Sequence, residues 1–302
     1  IKHMFSDLCL RGADGLHIRN IGITGSGRYQ VQKSLQAIYP ALVDNIFTLV
    51  ENYAHSRGSA EYAKNHIDKL RSKGIEINND FYILVDIGGE DTKISIVAIG
   101  KNELFDNAMN IKCSAGTGSL MDTLKALFGI EDIRDACQQA FEATKAYNIN
   151  ATCAVFLMEN ARKMQASGYG KDEILASCNY AIVENMARTL WTQVEFPKNA
   201  LVMLHGQTML SDPLPLAVTH RVQEFTGTKT YCLVPPLPGH RACIGLIRSV
   251  VNSESPEAAS GTYCDLNDYI GRTYTRRMIV CKGAACGDTE ARCARTRLLS
   301  TG

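Results

Sequence analysis

Neither sign of charge prevails in this chain. Its 302 residues carry 32 Lys and Arg against 31 Asp and Glu, for a formal net charge of +1. A balance this even provides no general field to gather nucleic acid or acidic partners. No apolar run approaches the ~20 residues that span a bilayer, and no secretory signal opens the sequence. A soluble, cytoplasmic protein with neither a nucleic-acid nor a membrane partner is expected. Solenoid repeats and low-complexity tracts are missing as well. What remains is ordinary for a globular chain: 45% apolar and 21% charged residues, enough for one large domain or two medium ones.

Cysteine is the exception, with 11 residues. In a chain of this size without a signal, free thiols or metal ligation are expected over a disulfide framework. An odd count also rules out disulfides for every one of them. Both ends read as cut. The opening enters without a preceding strand-and-turn unit, and the end stops soon after a cysteine cluster. A fragment of a longer polypeptide is expected.

Strands and helices alternate along the sequence, which predicts an α/β fold. "DFYILVDIGGEDTKISIVAIG" is the clearest signal: an apolar strand, a turn at Gly88-Gly89, and an alternating second strand. "HIRNIGITGSGRY" and "NALVMLHGQTMLSD" each read as an apolar strand running into a glycine turn. Three such turns suggest one nucleotide gripped from several sides. "SAGTGSLMDTLKALFGI", "CAVFLMENARKMQASGYG", "KDEILASCNYAIVENMARTLWTQV", "PLAVTHRVQEFTG" and the end of "PPLPGHRACIGLIRSVV" read as helices. The third of these reads as long and amphipathic. Near Ser253 to Pro256 the composition turns polar, marking a linker before a basic, cysteine-rich tail.

The chemistry-bearing residues follow. In "DIGGEDTK" the small residues let backbone N–H groups approach phosphate oxygens. Asp86 ends the strand, where a carboxylate can hold a hydrated Mg²⁺; Thr92 and Lys93 add a hydroxyl and a charge. The plain alternative is a β-hairpin with a tight turn. Gly206 with Gln207 or Asp212 offers a seat for adenine or ribose, or else a common strand–turn–helix link. Arg28 after "GITGSG" faces a phosphate, or lies at the surface. Glu51 and His55 share one helical face, where Glu51 orients water or the metal, or forms a helix salt pair.

Cys113 in "NIKCSAGTG" and Cys153 in "INATC" each stand just ahead of a helix, where free N–H groups and the helix dipole favour a thiolate. Two per chain fit a four-cysteine cluster shared across a two-fold axis; the alternative is two buried small hydrophobes. In the tail, Cys281, Cys286 and Cys293, with Cys264 upstream, suggest a second metal or iron–sulfur site. Their spacing is neither the zinc-ribbon pair nor the bacterial ferredoxin run.

The ordered set "TGSGR", "ENYAHSRG", "DIGGEDTK", "KCSAGTG", "ATCAVF", "HGQTMLSD" and "PGHRACIGL" resembles the BadF/BadG/BcrA/BcrD ATPase family over roughly residues 20 to 250. The resemblance implies the actin/Hsp70/hexokinase-like (ASKHA) ATPase fold, two α/β lobes around a nucleotide cleft. It implies a homodimer with one [4Fe-4S] cluster between subunits, held by Cys113 and Cys153 of each. ATP hydrolysis with Mg²⁺ would drive one low-potential electron, taken from ferredoxin or flavodoxin, to a 2-hydroxyacyl-CoA dehydratase or an acyl-CoA reductase component. By the same resemblance Asp86, Gly88, Gly89, Asp91, Thr92 and Lys93 form a phosphate motif. Gly116, Thr117 and Gly118 line the cleft, and Gly206, Gln207, Thr208 and Asp212 match the adenosine motif. Asp86 and Glu51 are the expected catalytic carboxylates.

The departures are specific. The family's first phosphate motif, an Asp-x-Gly-Ser-Thr turn, is not found, so an incomplete N-terminal lobe is expected. Glu90 stands in place of a glutamine and Gln207 in place of a glycine. The tail resembles the segment that follows the ATPase domain in large multidomain members. The expected organisation is an ATPase domain over 1–252 and, over 253–302, a linker and the cysteine-rich tail of a following domain. Two other readings stay open: a degenerate ATPase-like binding module, and a non-redox kinase of the same fold.

Overall fold

A computed structural model describes residues 2–8, 18, 20–101, 103–110, 118–149, 154–251, 270–271, 273–280 and 294–301, the last two ranges through their backbone pairing alone. The chain divides into two compact units. The smaller gathers residues 1–23, 27–48 and 255–302, and the larger residues 24–26 and 49–254.

In the smaller unit, helix α1 (Lys2–Leu8) precedes strand β1 (Ile21–Ile23), helix α2 (Arg28–Ile38) and strand β2 (Ile46–Thr48). Strands β1 and β2 pair in parallel. Phe5, Leu35, Ile38, Tyr39 and Ile46 form its apolar centre.

The larger unit opens with α3 (Glu51–Ser72), followed by β3 (Phe81–Ile87), β4 (Thr92–Ala98) and β5 (Glu103–Met109). Then come α4 (Gly118–Leu127), α5 (Ile133–Glu142), α6 (Ala154–Ala166), α7 (Lys171–Thr189), β6 (Leu201–His205), α8 (Pro213–Thr226), β7 (Tyr231–Leu233) and α9 (Arg241–Val251). Five strands form one mixed sheet in the order β5-β4-β3-β6-β7. The β3–β4 and β4–β5 pairs are antiparallel; β3–β6 and β6–β7 are parallel.

The central strand, β3, is apolar from Phe81 to Val85 because both of its faces are covered. Tyr82 and Leu84 join Ala63 and Ile67 of α3 in one cluster. Ile83, Val85 and Ile87 join residues of α4 to α8 in the other. Side chains alternate along a strand, so Asp86 shares the α3 face with Tyr82 and Leu84. The same parity puts His205 with Leu201 and Met203, and Lys93 with Val97, on that face. The fold thus sends three polar residues, on three adjacent strands, toward one helix.

Helix α7 departs from the amphipathic expectation. Twelve of its residues are buried, from Ile174 round to Ala187. It is the central helix of its layer, packed by α5, α6 and α8, so no wide polar face is left to solvent. In the smaller unit β8 (Thr273–Val280) and β9 (Ala294–Thr301) form an antiparallel ladder. Among the described residues no helix is long and apolar enough to cross a membrane.

Candidate functional site

The Gly88–Gly89 turn joining β3 to β4 is tied down from three directions. Gly88 N–H donates to Asp91 O at 2.8 Å, closing the hairpin. The first two residues of α4 reach the turn: Gly118 N–H donates to Gly88 O and Ser119 N–H to Gly89 O, both at 2.9 Å. From the third side, Thr208 Oγ1 donates to Ile87 O at 2.6 Å. Gly206 makes that approach feasible. Its φ of +106° disfavours any L side chain, and a Cβ there would stand 2.1 Å from Ile87 O.

A cavity of about 680 Å³ opens beside this junction, lined by Gly89, Gly118, Gln207, Thr208, Asn179 and Asp132 among others. Its size falls within the roughly 300–1,000 Å³ of small-molecule sites. Clefts of about 970 and 790 Å³ lie elsewhere in the unit, and neither borders the Gly88–Gly89 turn. Glu90, which departs from the family's glutamine, also lines the cavity.

On the α3 side of the sheet lies a polar cluster. Lys93, 2% exposed, donates to Glu51 Oε1 and Asp91 Oδ1 at 3.0 Å each, and lies 3.4 Å from Asp86 Oδ2. Burial alone would lower its pKa; Asp86 and Glu51 outweigh that and raise it, so the ammonium is held charged. His55 and Lys93 draw the Glu51 carboxyl down to about 2, against the desolvation of partial burial. His55 Nε2 lies 3.9 Å from Glu51 Oε1, beyond hydrogen-bond range, so the lysine contact is the firmer one. His55 Nε2 also stands 3.4 Å from Asp86 Oδ2.

Ligand atoms of Glu51, His55 and Asp86 lie within 4.8 Å of one another. Three carboxylates here face one ammonium. The carboxylate oxygens fit a hard divalent cation such as Mg²⁺, which takes oxygen ligands, whereas the imidazole nitrogen of His55 does not.

Several expected residues therefore meet. Gly88, Gly89, Gly118, Gly206, Gln207 and Thr208 converge on the turn and its cavity. Asp86, Asp91 and Lys93 join Glu51 behind it. Thr92 is buried with its hydroxyl unpartnered among the described residues, and Asp212 precedes α8 without a side-chain capping bond. Arg28 belongs to the smaller unit. Gly116, Thr117, Cys113, Cys153, Cys264, Cys281, Cys286 and Cys293 lie outside the described residues. Four described cysteines, Cys137, Cys178, Cys232 and Cys243, are free thiols. Sequence reasoning missed Asp132, Asn179 and the buried His205. The last has a signal, being the one polar residue closing the apolar run "ALVMLH".

The sequence profile of the BadF/BadG/BcrA/BcrD ATPase family matches residues 11–246. The chain belongs to this family. It is 25% identical over 167 residues to the (R)-2-hydroxyglutaryl-CoA dehydratase activating ATPase of Acidaminococcus fermentans, covering 55% of this chain and 63% of that protein. It is 21% identical over 162 residues to the 2-hydroxyisocaproyl-CoA dehydratase activator of Clostridioides difficile, covering 54% and 57%. The matches thus span less than two thirds of those curated relatives. A solved activator of the 2-hydroxyisocaproyl-CoA dehydratase from Clostridium difficile, with bound ADPNP, superposes with a TM-score of 0.60 at 19% identity, covering 83% of this chain and 84% of that one. The fold of this family member is the actin/Hsp70/hexokinase type expected from its motifs.

Proposed function

We propose that this chain hydrolyses ATP to drive one low-potential electron into a 2-hydroxyacyl-CoA dehydratase or a related acyl-CoA reductase component. The observation that carries the reading is the meeting of the Gly88–Gly89 turn, the start of α4 and Gly206–Thr208 at one cavity. In a member of an ATPase family, that arrangement supports a nucleotide seated across the turn. Gly206, Gln207, Thr208 and Asp212 hold the adenosine in this proposal. Gly88, Gly89, Asp91, Thr92, Lys93, Gly116, Thr117 and Gly118 hold the phosphates.

Asp86 and Glu51 are the proposed catalytic carboxylates. Asp86 would hold Mg²⁺, which supplies charge neutralisation at the phosphates when bound. Glu51 stays ionised down to about pH 2, so it is a hydrogen-bond acceptor able to orient a water molecule at neutral pH. Lys93 bridges both carboxylates and fixes their spacing.

Cys113 and Cys153 are the proposed ligands of a [4Fe-4S] cluster between the subunits of a homodimer, reduced by ferredoxin or flavodoxin. The cluster supplies a one-electron carrier. The two hydrogen bonds from α4 to Gly88 and Gly89 support a mechanical link: a turn that closes on phosphate displaces the helix that Cys113 precedes. We also propose that 1–252 form the ATPase domain and 253–302 begin a following domain. The ladder closing at Val280 and Ala294 supports Cys281 and Cys293 sharing a second site with Cys286 and Cys264.

Anaerobic iron and acid-labile sulfide analysis tests the reading. About four irons per dimer, lost in Cys113→Ala/Cys153→Ala, is the expected result. Iron retained in that variant moves the metal to the tail and overturns the bridging cluster. A protein without iron is a redox-silent member of the fold.

A further inference from the structure

The cavity beside Gly89 contains a buried acceptor with nothing to accept. Asn179 lies in the middle of α7 and is 2% exposed, yet it lines that cavity. Its Nδ2–H donates to Leu175 O at 2.9 Å. This bond fixes which way the carboxamide faces, because the flipped amide would set Oδ1 against another carbonyl oxygen. Oδ1 has no partner among the described residues. Nor is it sealed inside protein, as Nδ2 of Asn185 on the same helix is. Its outlet is the cavity.

A buried carbonyl left unpaired costs free energy. Water in an open cavity can satisfy it, and a ligand that displaces the water must bring a donor or forfeit the bond. The neighbours of Asn179 restrict what that ligand presents. Met121, Ile133 and Leu214 line the same cavity, and all three belong to the large apolar cluster or pack against it. Apolar side chains suit the faces of a flat aromatic ring; they would leave the hydroxyls of a sugar without partners.

Adenine joined to ribose has a single donor group, its 6-amino group, and its remaining polar edge atoms accept. An adenine seated in this cavity meets Oδ1 only through that amine. A 6-oxo purine in the same pose would set one lone-pair oxygen against another.

We infer that Asn179 is a specificity-determining residue of the nucleotide site: its Oδ1 accepts from the 6-amino group of adenine and selects adenine over 6-oxo purines. The inference rests on the proposed nucleotide seat and adds to it the reading of the base. The acceptor is preorganised, since α7 is packed by α5, α6 and α8 and Leu175 holds the carboxamide.

The test measures Kd by isothermal titration calorimetry, with the full chain and Mg²⁺. The probes are ADP, inosine diphosphate, which has oxygen in place of the 6-amino group, and 2′-deoxy-ADP, which lacks a sugar hydroxyl. Wild type should bind ADP about 10-fold more tightly than inosine diphosphate, the ratio expected when one buried acceptor loses its donor. Asn179→Leu should weaken ADP by a similar factor and leave inosine diphosphate nearly unchanged, so that the two converge. A merely structural role would weaken both alike. The ratio of 2′-deoxy-ADP to ADP should be the same in both proteins. Asn179→Ala, smaller than the native side chain, serves if Asn179→Leu fails to fold.

Equal affinities for ADP and inosine diphosphate in the wild type overturn the inference and leave the nucleotide site intact. A preference for ADP that survives in Asn179→Leu overturns it too, because another group then reads the base. A penalty on 2′-deoxy-ADP that disappears in Asn179→Leu assigns Oδ1 to the ribose, which also overturns it. A wild type that binds none of the three nucleotides sinks the proposed nucleotide site and the inference with it.

Discussion

Lys93 shows how far a residue's role depends on its neighbours. In the sequence it reads as a charge for phosphate. In the fold its ammonium is shut between Glu51, Asp86 and Asp91. Removing one partner of a buried ion pair costs about 3–5 kcal/mol, because the other charge is left uncompensated, so Lys93 holds the site together before any ligand arrives. Glu51 carries the pH dependence of this cluster. Its folded pKa of about 2 lies below the ordinary carboxylate value of 4.5. A depressed carboxylate stabilises the fold above its unfolded pKa, and that contribution fades as pH falls from about 4.5 through about 2. Urea midpoints measured across that window should fall more steeply in the wild type than in Glu51→Gln. Equal slopes would show that the Lys93 contact is too solvated to matter. The i, i+4 relation of Glu51 and His55 was legible in the sequence. The link from His55 to His205 was not, because it crosses 150 positions and exists only through the β3–β6 register, which sets Asp86 beside His205.

At the scale of elements, the apolar strands and their glycine turns were legible, since a strand covered on both faces reads as a nearly continuous apolar run. Segments 103–109 and 133–142 received no assignment. The first is an edge strand with exposed and half-buried positions, and the second is a largely polar helix whose buried side is Ala136, Cys137 and Ala140. The crossing of α3 and α9 was equally hidden. A Cβ on Gly245 would stand 1.8 Å from Ala54 O, and one on Gly58 2.0 Å from Arg241 O. The two helices meet backbone to backbone, and Arg241 Nη1 donates to Gly58 O at 3.1 Å. Overpacking typically costs about 1–3 kcal/mol; here the obstacle is backbone, so Gly58→Ala and Gly245→Ala should reach or exceed the top of that range in urea unfolding. Gly89→Ala is the contrasting case. Open space surrounds its missing Cβ, so it should melt like the wild type. A lowered melting temperature for Gly89→Ala alone would reverse this assignment of structural and functional glycines.

At the scale of the molecule, the proposed site is assembled from four separated stretches: the start of α3, the β3–β4 turn, the start of α4 and the end of β6. Binding to such a site couples to folding, because the unfolded chain has no equivalent. A ligand at a hundred times its Kd stabilises by about 2.7 kcal/mol. Mg²⁺–ATP should therefore raise the melting temperature of the wild type by several degrees and that of Asp86→Asn by distinctly less, read by scanning fluorimetry. An unchanged melting temperature in millimolar Mg²⁺–ATP would count against a nucleotide in the cavity beside Gly89.

The amino-acid sequence alone determined the family, the α/β class and the glycine turns, because each rests on local patterns: apolar period, turn chemistry and short motifs in a set order. It also placed Asp86 at a strand end and Glu51 one helical turn before His55. Tertiary structure decided which of these residues share a space. Strand parity and register turned Asp86, Lys93 and His205 toward α3, and burial there made Lys93 a partner of carboxylates. Those outcomes depend on desolvation and on contacts between residues far apart in the chain.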